Sequence, residues 1–112
     1  MVNKPIFNYG VISTHSHTVY SDPSTDFRDE YHSCCDQKWM YITWTSTNSS
    51  SHQEIWVDAV DIFSGAEATG FPLSIKSDAT HNYTRPTIAC DVRNAPDDPT
   101  FAVAFITNLN TA

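Results

Sequence analysis

The chain has 112 residues, enough for one domain and too few for two ordinary ones. With 40% hydrophobic and 12% aromatic residues it carries the material of a core, which excludes wholesale disorder. Thirteen Asp and Glu against six Lys and Arg give a formal charge of −7, and the cations (Lys4, Arg28, Lys38, Lys76, Arg85, Arg93) form no stripe, so nucleic-acid backbones and anionic membrane surfaces are disfavoured partners.

Residues 1–30 show little periodicity and read as an irregular N-terminal segment, with a short strand at Ile6–Ile12 and a turn at Ser21-Asp22-Pro23-Ser24. Met1-Val2-Asn3-Lys4-Pro5 lacks the apolar core of a signal peptide, and no apolar run reaches the roughly 18–20 residues of a membrane helix. The abundance of Ser, Thr, Asn and Asp resembles a secreted surface module. The expected location is therefore extracellular or at the cell surface, as part of a longer or processed protein, with a cytoplasmic protein as the alternative. Asn48-Ser49-Ser50 and Asn82-Tyr83-Thr84 match the glycosylation acceptor pattern.

Strands follow. Tyr31–Asp36 leads into Trp39–Thr45, where aromatic and β-branched residues alternate: Met40, Ile42 and Trp44 on one face, Trp39, Tyr41 and Thr43 on the other. Thr47–Ser51 is a polar hairpin loop. Glu54–Ile62 is the next strand, then Phe71–Lys76 with a proline suited to an edge. Ala66–Gly70 is the best candidate for a helical turn. Thr87–Val92, the turn Asn94-Ala95-Pro96-Asp97-Asp98-Pro99 and Phe101–Ile106 close the series. No long window carries a 3.6-residue period, so the expectation is one all-β domain of antiparallel sheets.

Within it lies a duplication. Cys35-Asp36 and Cys90-Asp91 are offset by 55 (90 − 35), each ending a strand and preceding a turn. The following strands, Met40–Trp44 and Phe101–Phe105, match in pattern at an offset of 61 (101 − 40). The Pro/Asp-rich turn takes up the difference. Residues 31–76 thus form a first repeat unit and 85–108 the start of a second. A period near 50 residues with about four strands per unit is the signature of a propeller blade. The expected architecture is about one and a half propeller-like blades, or a small β-sandwich.

Arg85-Pro86-Thr87-Ile88-Ala89-Cys90-Asp91, Phe101–Phe105 and Ile55–Ile62 resemble β-propeller repeats of large secreted and cell-surface bacterial proteins, over residues 31–108. The resemblance implies stacked blades. The Asp-box of sialidase-type propellers is absent, so glycosidase activity does not carry over. The first copy also lacks the proline of the second.

Several groups bear on chemistry. His15-Ser16-His17 on a strand would project two imidazoles to one face about 7 Å apart, close enough to share a transition metal, with His32, His81, Asp22 or Asp26 as a further ligand. Asp91, Asp97 and Asp98 offer oxygens of the kind calcium takes. Trp39, Tyr41 and Trp56 are candidates for an aromatic platform on which a glycan stacks, against the alternative that they are core. Glu54, Asp58 and Asp61 read as a solvated strand edge rather than a catalytic carboxylate pair, since Glu54 and Asp58 are roughly 13 Å apart if extended. Cys34, Cys35 and Cys90 read as small buried side chains, with a Cys90 bond to Cys34 or Cys35 as the alternative.

The functional expectation is a non-enzymatic extracellular β module for adhesion, assembly or glycan binding. Its partner would be itself, a larger parent protein or a glycan, without nucleic acid and without membrane insertion. Two alternatives stand beside it: a metal-binding protein or metal-dependent enzyme built on His15 and His17, and a structural subunit completed by a neighbouring copy.

Overall fold

The computed structural model describes residues 30–109 in full and, ahead of them, only the backbone pairing of segments 2–3, 7–8, 14–15, 18–20 and 27–29. In that leading part β1 (Val2–Asn3), β2 (Phe7–Asn8), β3 (Thr14–His15) and β4 (Thr18–Tyr20) pair antiparallel as β1–β4 and β2–β3. The rest is an all-β chain. β5 (Phe27–Cys35), β6 (Trp39–Thr47), β7 (Gln53–Asp61) and β8 (Leu73–Lys76) form a four-stranded antiparallel meander. β9 (His81–Ala89) and β10 (Ala102–Leu109) form a separate hairpin. β9 lies against β5, β6 and β7, so the hairpin packs on one face of the meander as a small β-sandwich.

Strand alternation sorts the meander's side chains. On the face toward the hairpin, Trp39, Tyr41, Val57 and Ala59 are buried with Ala68 and Ile88, and Cys34, Phe71, Ile75, Cys90, Phe101 and Val103 pack around them. On the opposite face Ile42 and Trp44 cluster with Trp56, and Met40, Val60 and Ile62 with Cys35. Register places Trp44 opposite Trp56, and the rings of Tyr31, Trp44 and Trp56 form a ladder across three strands, with centroids 6.3 and 6.4 Å apart. The sheet is therefore apolar on both faces.

The two hairpins β5–β6 and β9–β10 correspond pair by pair. β5 and β6 align Cys35 with Met40, Cys34 with Tyr41, Ser33 with Ile42 and His32 with Thr43. β9 and β10 align Ala89 with Ala102, Ile88 with Val103 and Thr87 with Ala104, the same register carried forward by the two offsets. Both hairpins then slip at the equivalent place. Residues 30 and 31 oppose Trp44 between the pairs Asp29–Thr45 and His32–Thr43. Residues 85 and 86 oppose Phe105 between Thr84–Ile106 and Thr87–Ala104. At each bulge the first extra residue has a left-handed backbone, Glu30 at φ 58° and Arg85 at φ 55°, although neither is glycine. The bulge also accommodates Pro86, which has no N–H to give to a ladder.

The two bulges meet. Glu30 Oε1 accepts the Arg85 N–H at 2.9 Å and the Thr45 hydroxyl at 2.8 Å. Further along, the Ile88 N–H donates to His32 Nδ1 at 3.1 Å, and the Gln37 N–H to the Asn94 carbonyl at 2.8 Å. Partners rise together in number, so β5 and β9 run in the same direction at matched levels. The second unit is stacked on the first by a rotation or shift, not turned over by a two-fold axis.

Several boundaries differ from the pattern-based ones: β5 begins at Phe27 rather than Tyr31 and β10 runs on to Leu109, and two further differences have a clear cause. β9 begins at His81 rather than Thr87, because the polar run before Pro86 carries no apolar alternation yet pairs with Ile106–Leu109. Ala66–Gly70 makes no helical turn. The Ala68 N–H donates to the Ala59 carbonyl and the Asp61 N–H to the Ala66 carbonyl, each at 2.8 Å, which holds Ala66–Ala68 extended against β7 ahead of a turn at Thr69-Gly70.

Asp36 closes the β5–β6 turn. Its Oδ1 accepts the backbone N–H of Lys38 at 2.7 Å and of Trp39 at 2.6 Å, and its Oδ2 accepts the Tyr41 hydroxyl at 2.6 Å. The Tyr41 oxygen in turn accepts the Thr100 N–H at 3.0 Å. Replacing Asp36 with Ala leaves buried donors unpaired, and a loss of about 2–4 kcal/mol is expected; Tyr41→Phe removes one link of the chain, at about 1–3 kcal/mol. Urea unfolding followed by tryptophan fluorescence checks both, and a Tyr41→Phe loss equal to that of Asp36→Ala would contradict the assigned order.

Candidate functional site

The densest chemistry lies at the end of the sandwich where the β5–β6 turn meets the long β9–β10 connection. Three contacts sew them together besides the Asp36–Tyr41–Thr100 chain. The Trp39 Nε1–H donates to the Pro96 carbonyl at 2.9 Å, and the Gln37 N–H binds Asn94. The Phe101 ring packs on Tyr41 with centroids 5.4 Å apart. Asp91 closes the second turn as Asp36 closes the first, accepting the Arg93 N–H at 3.1 Å while its own carbonyl accepts the Asn94 N–H.

Cys34 and Cys90 face each other at this seam, thiol to thiol, and all three cysteines are free. Burial pushes the Cys34 thiol up to about 12, helped by the hydrogen bond to Cys90 and by nearby negative groups including Asp36. Burial also raises Cys90, partly offset by its hydrogen bond with Cys34. Tyr41 is raised as well, by burial first and by donating to Asp36 second. Thiols held protonated in this way pack as small apolar groups and are poor nucleophiles at neutral pH.

Beside the seam, on the outer side of the hairpin, an open cleft of about 390 Å³ is lined by Ala89, Cys90, Asp91, Thr100, Phe101 and Ala102. It lies within the size range of small-ligand sites and is mainly apolar.

The expected platform is not assembled. Trp39 and Tyr41 are buried, their polar atoms given to Pro96 and Asp36, whereas Trp56 is on the opposite face of the sheet. Alternation separates the two faces of β6 correctly; it carries no sign of which face the second hairpin covers. Tyr31, the exposed end of the aromatic ladder, was not singled out in the sequence, and only the β5 bulge opposite Trp44 reveals it.

Of the metal candidates, the His15 side chain and His17 lie outside the described residues. His32 is described, with its Nδ1 occupied as an acceptor of the Ile88 N–H. Among the described residues no group of three His, Cys, Asp or Glu is arranged to hold a metal ion. Asp58 corrects the picture of a solvated acidic edge: it is fully buried, and its Oδ1 accepts the Ala59 N–H at 2.9 Å. Glu54 accepts the Ser77 hydroxyl at 2.6 Å, and Asp61 caps the turn after β7 through the N–H groups of Phe63 and Ser64. Asn48 closes the β6–β7 loop through Ser50 and His52, and Asn82 accepts the Gln53 N–H.

No protein-family model, curated protein or solved structure matches this chain.

The raised thiol and phenol have a pH consequence. The unfolded chain releases the Cys34 proton near the ordinary 9.0 while the folded chain keeps it to about 12. The folded state therefore holds more protons across that window, and stability falls as pH rises through it. Cys34→Ala is expected to make the decline shallower without abolishing it, since Tyr41 titrates in the same direction. Melting temperature measured from pH 8 upward checks this; an unchanged slope in the variant would refute the assignment.

Proposed function

We propose that this chain is a β module for assembly or adhesion, acting outside the cell or on its surface, whose units stack sheet on sheet with like units. The observation that carries the reading is the second hairpin, a register-matched copy of the first hairpin lying on one face of the meander. The opposite face, with Met40, Ile42, Trp44 and Val60, is already buried within the chain, so the surface left for a like unit is that of the second hairpin.

The second unit supports the same reading. In the first, β7 lies along β6; in the second, β10 pairs with β9 on one side only among the described strands. Its outward residues Ala102, Ala104 and Ile106 are exposed, while Val103 packs into the core cluster and Phe105 against Tyr83. An open strand edge with an apolar outer face is a template for another β unit. Blade-like stacking, with equivalent strands parallel at matched levels, is the arrangement favoured here.

Sedimentation velocity from micromolar to near-millimolar protein is expected to show concentration-dependent association. Ala104→Lys with Ile106→Lys, both at exposed positions, is expected to weaken association while leaving the melting temperature within a few degrees. A wild-type chain that stays monomeric over the whole range would refute the proposal.

A further inference from the structure

The two units diverge at one place. By register, Ala102 in β10 occupies the position of Tyr41 in β6, Thr100 that of Trp39, and Asp91 that of Asp36. In the first unit the Tyr41 ring lies in the core and its hydroxyl donates to the Asp36 carboxylate. In the second unit both rings are missing, replaced by the methyl group of Ala102 and the hydroxyethyl group of Thr100. The open cleft of about 390 Å³ is lined by these replacements, with Asp91 at the corresponding position.

We propose that this cleft is a binding site for a tyrosine side chain presented by a partner polypeptide. The phenol ring would lie on Ala89, Ala102 and the edge of Phe101, and its hydroxyl would donate to Asp91. The first unit supplies the template, a tyrosine of strand β6 whose hydroxyl donates to the turn-closing aspartate. Asp91 retains acceptor capacity. Its Oδ1 takes the Arg93 N–H, with Arg93 Nε at 3.9 Å, and among the described residues no donor takes Oδ2. A carboxylate at this place selects a neutral phenol over phenylalanine, through a charge-assisted hydrogen bond, and rejects a phosphorylated tyrosine by like charge. The site deepens the assembly reading, on which it rests only for the polypeptide nature of the partner.

Titration of the ¹⁵N-labelled chain with N-acetyl-tyrosinamide tests the cleft by itself. Saturable amide shifts are expected at Ala89, Cys90 and Ala102, with affinity about tenfold above that of N-acetyl-phenylalaninamide. Asp91→Asn is expected to narrow that ratio severalfold. Ala102→Tyr is expected to place the ring in cis, abolish the shifts and raise the melting temperature; Ala102→Leu, which fills the cleft without a hydroxyl, is expected to abolish the shifts should the tyrosine variant fold poorly. Shifts absent from these residues at saturating probe, equal affinity for the two probes, or unaltered binding by both filled variants would each overturn the inference. Association without probe binding would remove the site and leave the assembly reading; probe binding by a persistent monomer would do the reverse.

Discussion

One buried carboxylate organises this molecule. Asp36 accepts two backbone N–H groups and one phenol, so its charge is satisfied by three short hydrogen bonds. The first two bonds shape the turn that lets β6 return along β5. The third fixes the Tyr41 ring, whose oxygen then receives the Thr100 N–H and orders the far end of a long connection. Linked bonds of this kind in a poorly solvated place strengthen one another, and each is expensive to leave unmade. The inter-sheet seam with Trp39–Pro96 and Gln37–Asn94 depends on that geometry. The open cleft does too, because it lies between the same connection and the hairpin that the connection joins.

The correspondence of the two hairpins was legible because it rests on side-chain types: Cys-Asp before a turn, then alternating apolar residues ending in an aromatic ring. What aligns with Trp44 is Phe105, and the structure places both opposite a bulge. The bulges themselves were not legible. Glu30 and Arg85 adopt a left-handed backbone without glycine or asparagine to announce it. Their strain is borne by tertiary bonds, since the Glu30 carboxylate receives the Arg85 N–H that the bulge leaves unpaired. The early start of β9 was hidden for a related reason. Pro86 reads as a strand breaker, and only a bulge makes it compatible with the ladder.

At the site, residue type pointed to the right region but not to the roles. Trp39 and Tyr41 were visible as an aromatic pair on one face, yet burial by Ile88, Cys90 and Phe101 makes them core rather than platform. Cys34 and Cys90 are distant in sequence, and nothing local says that Cys34, rather than Cys35, meets Cys90. The deciding fact is the alternation of β5, which puts Cys34 beside Tyr41 toward the hairpin and Cys35 beside Met40 away from it. Asp58 follows the same logic. It alternates with buried neighbours on an inner strand, where acidic composition gives no guide to exposure.

The loss of the two rings in the second unit shapes how such a module extends. A stack in which each unit offers one face and receives on the other is heterologous, so it continues until rotation closes it or a face changes. Here the inner contact is made by Phe101, Val103 and Ile88 against Trp39, Tyr41 and Val57. On the outer side of the second unit the exposed residues are Thr87, Ala89, Thr100, Ala102, Ala104 and Ile106, mostly smaller than those of the inner contact, so a further unit would be received there at closer approach. A flat alanine surface permits close approach, and its cleft accepts a ring that the surface itself no longer supplies. The outermost layer is therefore not a plain repeat of the inner one. It keeps the turn-closing aspartate and register of the first unit while exchanging a built-in tyrosine for an open cleft beside that aspartate.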